Sequence, residues 1–263
     1  MPFTGSHPAA VLPFLRTGLV PSALVIGSMT PDLVYYFPLP TGARWSVSHA
    51  SHTITGIVGL DLLMGLFAFA VWQVLIAPLA VAVSPRPVRD RVGELPVPLR
   101  QNLGTLRAAA LVVVSLLVGA VTHVFWDEFT HPDRWGTAHL SWLAQQHGSM
   151  LGARWAQVAS SIVGLLFIGG ALWRWWVRTM PQPVAQPVAP RVAPVSRMVS
   201  ARVWTIVLFC AGVGSAIGFR AALTRPGTQS LPYLVATYGG GAGLLAVLVC
   251  ALVVIVPRYR QLP

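Results

Sequence analysis

The chain reads as an all-α, polytopic membrane bundle, with about five full spans and an N-terminal re-entrant helical hairpin. Three observations predict this. Of its 263 residues, 55% are hydrophobic and only 10% charged, with a mean hydropathy of +0.67. A soluble domain carries about 25% charged residues, so this chain lacks the polar surface to dissolve as a globule. Five apolar runs reach the roughly 20 residues that a bilayer crossing needs. Finally, the basic residues, all 18 of them arginine, fall between those runs and not along one soluble face. Disorder, a collagen repeat and a disulfide-stapled secreted fold are excluded. The net charge of +11 therefore points to topology, with membrane lipids and not nucleic acid as the expected partner.

The N-terminus has no basic n-region and no small-residue cleavage site, so it does not read as a signal peptide. Residues 8 to 30 are apolar but broken by Pro13, Arg16, Gly18 and Pro21. The pieces Pro8–Arg16 and Pro21–Met29 would each rise only about 14 Å as α-helix, too short to span. Two short helices turning at Thr17-Gly18 return the chain to the side it entered from. Such backbone survives at membrane depth only when buried in protein or lining a wet cavity. The rival is one kinked span, giving six crossings and moving His7 to the opposite face.

The full spans are Gly56–Val83, Ala108–Trp126, Trp155–Trp173, Val203–Ala222 and Leu234–Val256. Asp61 lies near the start of the first, whose apolar core runs from Leu62 to Val83. The loop Ser84 to Arg107, the segment Arg174 to Arg202 and the C-terminal tail together hold twelve of the eighteen arginines. The positive-inside rule places these in the cytoplasm and residues 127 to 154 on the other side of the cell membrane. Met180 to Pro194 is proline-spaced and has no helix of its own. The expected organisation is a membrane domain over residues 1–179, a Pro-rich cytoplasmic linker over 180–202 and a two-span segment over 203–263. That last segment carries Gly239-Gly240-Gly241, suited to close helix packing. Cys210 and Cys250 lie inside apolar runs and read as small buried residues.

The seven histidines avoid the arginine-rich segments and the last two spans. With the hairpin, all of them fall near one membrane face, opposite the arginines. The sharpest constellation is His123-x3-Asp127-x3-His131. A spacing of four keeps successive members on one helix face, where imidazole and carboxylate can share a metal. Pro132 biases His131 out of helical geometry, so it is the weaker member. A simple hydrogen-bonded pair at the interface is the plain alternative for His123 and Asp127, but ionisable groups at membrane depth mark a functional site by default. His49 and His52 precede the first span. His7 and Asp32 flank the two mouths of the hairpin, which makes them neighbours. His139, Asp133 and Glu128 read as solvated residues.

Several stretches taken in order resemble a known family: MPFTGSHPAAVLPFLR, LVPSALVIGSMTPDLVYYF, SHTITG followed by Asp61, GAVTHVFWDEFTHP and QHGS. They are similar to the bacterial membrane family called domain of unknown function 4184, over roughly residues 1 to 175. More distantly they resemble the YdjM-type membrane-bound proteins described as metal-dependent hydrolases and compared with zinc-dependent phospholipase C. The resemblance implies His7, Asp32, His52, His123 and Asp127 as metal ligands, with His131 and His147 as outer members. His49 lies outside the motif.

Imidazole and carboxylate without thiolate suit zinc, manganese or iron, zinc first. The expected function is a membrane-embedded, metal-dependent hydrolase of lipid phosphoesters. Asp127 or Asp32 would then serve both as ligand and as partner of the attacking water. The alternative is a non-catalytic membrane protein whose His/Asp cluster is structural or handles metal or protons.

Overall fold

Proline and glycine shape the N-terminal elements. The computed structural model describes residues 3–37, 39–92, 99–182, 193–224 and 230–259, so the central part of the proline-spaced segment lies outside the described residues. Helix α1 (Thr4–Arg16) is wound as a 3₁₀ helix and carries Pro8 and Pro13. Each proline lacks the N–H that an α-helix would bond. Gly18 then turns the chain at φ +82°, a left-handed backbone that side chains disfavour. Helix α2 (Pro21–Met29) opens on proline and runs on as a 3₁₀ stretch over Thr30–Tyr36.

The two arms pack together as the expected hairpin, not as one kinked span. The first arm differs from expectation by starting four residues earlier, at Thr4. Its 3₁₀ winding rises about 2.0 Å per residue, so it reaches further than nine α-helical residues would.

The next helices are α3 (Thr41–Ser51), α4 (Ile54–Val83), α5 (Arg86–Val92), α6 (Leu99–Leu103) and α7 (Leu106–Thr130). Helix α4 passes through two π-helical stretches, Ile57–Asp61 and Trp72–Ile76. After α7 come the short helices α8 (Trp135–His139) and α9 (Ser141–Ala144). A two-residue hairpin, β1 (Gln146–His147) and β2 (Met150–Leu151), follows and turns at Gly148 with φ +65°. Helices α10 (Gly152–Arg178), α11 (Arg197–Thr224) and α12 (Leu231–Tyr259) complete the order. Five helices, α4, α7, α10, α11 and α12, are long and apolar enough to cross a membrane. They mark a membrane protein.

Contacts divide the chain into two units. The first holds residues 1–34, 39–69 and 103–178. In it, α2 lies against α7 with backbone touching backbone. A β-carbon at Gly27 would collide with the Leu116 carbonyl, and one at Gly119 with that of Leu24. The turn of the hairpin is pinned to α7, where Val20 N–H donates to Ser115 Oγ at 2.9 Å. Ser115 is nine residues into α7, about 14 Å along its axis, so the hairpin reaches well into the bundle. Arm α1 is also held by α10, through Ser6 against Gly164 and Phe3 N–H donating to Ser161 Oγ at 2.9 Å.

The second unit takes residues 35–38, 70–102 and 179–263, so residues 70–102 group with the trailing helices. There α11 and α12 pair closely through Gly214, Gly218 and Gly239. Leu79, Ala82 and Val83 join Val203, Ala251 and Ile255 in one buried cluster.

Candidate metal centre

All the groups of interest belong to the first unit, and local structure aims each of them. Thr53 caps α4, its Oγ1 accepting from Gly56 N–H at 2.9 Å. That stops α3 at His52 and leaves the imidazole at the junction. His52 Nδ1–H donates to the Ser48 carbonyl at 2.8 Å. His123 Nδ1–H donates to the Ser28 carbonyl, across from α2, at 2.7 Å. A carbonyl only accepts, so both rings carry hydrogen on Nδ1 and present Nε2 towards the same place.

That place lies between Asp32 and Asp127. His52 Nε2 and His123 Nε2 are each 3.4 Å from Asp127 Oδ2, and 3.7 and 3.6 Å from Asp32 Oδ1. One donor atom from each of the four residues lies within 4.8 Å of the others, and all four side chains are buried. His7 flanks the set. Its ring stacks on His123 at a centroid separation of 3.7 Å, and its Nε2 lies 3.8 Å from Asp127 Oδ1. Burial and the adjacent His123 imidazole push the His7 pKa down to about 4, so the ring is neutral at pH 7.

At 3.4–3.8 Å these pairs lie at or beyond the outer limit of a hydrogen bond. His7 Nε2, Asp32 Oδ1, His123 Nε2 and Asp127 Oδ2 are all buried without a hydrogen-bond partner. Buried polar atoms of this kind are costly unless something satisfies them. Two donors about 2.0–2.2 Å from one tetrahedral ion sit roughly 3.3–3.6 Å apart, close to the spacing seen. The donor set of two imidazoles and two carboxylates fits a divalent ion, and this buried group could hold one.

Outer partners complete the site, several of which sequence reasoning does not find. Thr4 Oγ1 donates to Asp32 Oδ2 at 2.7 Å, leaving Oδ1 free to face the histidines. Thr130 Oγ1 donates to Asp127 Oδ1 at 3.3 Å, and the Thr130 carbonyl accepts from buried Gln157 at 3.3 Å. Thr4, Ser28 and Gln157 are distant in sequence from what they support. Their polarity inside apolar stretches is the one signal they offer.

Of the outer members, His131 is at the end of α7, with Nδ1 3.2 Å from the Asp127 carbonyl and 3.6 Å from its Oδ1. Burial pulls its pKa down, opposed by Asp127. His147 is engaged elsewhere, stacked on Trp142 with Nε2 2.8 Å from the Trp142 carbonyl. His49 stacks on Trp45 and His139 on Trp135. Glu128 pairs with Arg134 and accepts the Trp135 N–H, while Asp133 occupies a turn at φ +60°.

Fold and site together define a helical membrane protein with a buried His/Asp centre fit for a divalent ion. The chain belongs to the family described as domain of unknown function DUF4184, whose family model matches residues 1–254. The match runs beyond the 1–175 expected from the motifs and takes in α11 and most of α12. No curated protein and no solved structure matches the chain.

Proposed function

We propose that this protein is a membrane-embedded, metal-dependent hydrolase that cleaves a phosphoester of a lipid, with zinc as the favoured ion. One observation carries the reading: buried, unpartnered imidazole and carboxylate atoms converge at the site-bearing end of a membrane-length helix. A divalent ion at such a site supplies Lewis acidity and makes water nucleophilic at neutral pH. Within the chain, Asp32 Oδ1 and Asp127 Oδ2 are the oxygens that face the imidazoles. Asp127 Oδ1, beside His7 and His131, is placed to hold a proton taken from water. The arginine asymmetry supports an orientation with this face outside the cytoplasm and the C-terminus inside.

The competing reading, an ion that only braces the bundle, is favoured by burial, because none of the five side chains is more than 6% exposed. Two measurements separate the readings. Protein purified without chelator should carry tightly bound metal, lost in His123→Ala and Asp127→Ala but kept in His139→Ala. The metal-replete protein should release phosphate or a phosphorylated headgroup from phospholipid or isoprenoid-phosphate vesicles. Metal without turnover on any phosphoester selects the bracing role, and wild-type protein free of metal rejects both.

A further inference from the structure

The sequence places Asp61 near the metal-binding residues without giving it a role, and its surroundings require one. It lies at the end of the first π-helical stretch of α4, is 1% exposed, and neither carboxyl oxygen has a hydrogen-bond partner. π-Bulges recur at functional sites because the extra residue re-aims a side chain. The aim here follows from its helical neighbours. Ile57, four residues before, packs on Ala120 and Val124 of α7, and Gly65, four residues after, meets Leu116 and Thr30. Asp61 therefore faces α7 near the level of Ala120, about one turn deeper than His123. It is in electrostatic reach of His52, His123 and Asp32, yet is not one of the four residues whose donors cluster within 4.8 Å. A single ion held by those four leaves Asp61 unsatisfied.

Asp32, Asp61 and Asp127 bring three buried carboxyl groups to this part of the unit, and the nearby Arg134 is committed to Glu128 and the His52 carbonyl.

We propose that Asp61 anchors a second divalent cation beside the first, on the deeper side of the cluster, making the centre dinuclear. Two-metal sites clamp both the attacking and the leaving oxygen of a phosphoryl displacement. The inference rests on the metal reading above, and its failure is distinguishable from that reading's failure. Full-length protein in detergent, stripped with chelator, is titrated with Mn²⁺ and followed by equilibrium binding and electron paramagnetic resonance. The expected result is two Mn²⁺ per chain with a spin-coupled signal. Asp61→Asn should retain one ion with an uncoupled six-line spectrum, and the retained ion shows that the fold is intact. One ion per chain in both proteins overturns the second site while leaving the first. No ion in the wild type defeats the metal reading itself. If Asp61→Asn binds none, Asp61→Glu decides: two ions support the proposal, and one or none overturns it.

Discussion

His123 shows how much one side chain has to satisfy at once. Its Nδ1–H is fixed by the Ser28 carbonyl, its Nε2 faces two carboxylates, and one ring face is covered by His7. The outer partners act in the same way on the acids. Thr4→Val removes the 2.7 Å bond that orients Asp32 without changing side-chain shape, so metal affinity should fall about 10–100-fold. A competition titration with a chromophoric chelator reads this directly, and an unchanged affinity would show that Thr4 does not orient the ligand. His7 makes a pH prediction. Its pKa is lowered from 6.5 to about 4 on folding, so between those values the unfolded chain binds the extra proton. The metal-free protein should therefore lose stability as pH falls from about 6.5 to 4, by up to roughly 1.4 kcal/mol per unit from this residue. His131 shifts in the same direction. Thermal melts across that range should show a shallower slope for His7→Gln, and an equal slope would mean that the ring is not buried neutral.

The helices reveal what could be read from sequence and what could not. Spans were legible because hydropathy and length alone specify a membrane crossing, and His123-x3-Asp127 was legible because four residues is one helical turn. The winding of the elements was not. Hydrogen-bond register leaves no trace in apolar pattern, so the 3₁₀ form of α1 and the π stretches of α4 went unseen. The contacts Thr4–Asp32 and Ser28–His123 span 28 and 95 residues, beyond any local spacing rule. The crossing of α2 on α7 ties these levels together. A β-carbon at Gly119 would meet Leu24 O and Ser28 N, so α2 must move away, taking with it the carbonyl that holds His123. Gly119→Ala should thus cost about 1–3 kcal/mol and also weaken metal binding. Gly169→Ala on α10, with open space around it, should do neither. If both variants melt like wild type and bind metal equally, the close crossing does not support the site.

Within the site-bearing unit the aromatic and basic residues define a membrane frame. Along α10, exposed Trp155 and Trp173 are 18 residues apart, about 27 Å of helix, close to a bilayer's hydrocarbon thickness. Trp and Tyr gather at the two interfaces, and Arg174 and Arg178 follow the second tryptophan. On α7 the same frame runs from Arg107 to exposed Trp126, so His123 lies about one turn inside one interface. Exposed Trp135, Trp142 and Trp155 follow that end of α7 in the chain. On this frame the candidate metal centre would sit just beneath headgroup level, within reach of the lipid phosphoester proposed as substrate, with the hairpin keeping His7 on that side. The sidedness expected from arginine alone can be checked with single cysteines in a background lacking Cys210 and Cys250. Phe3→Cys and His139→Cys, both exposed, should react with an impermeant maleimide added to intact cells. Leu106→Cys, 89% exposed at the opposite end of α7, should react only after the cells are opened. The reverse pattern would place the centre in the cytoplasm. Protection of Phe3→Cys alone would break the hairpin and remove His7 from the site.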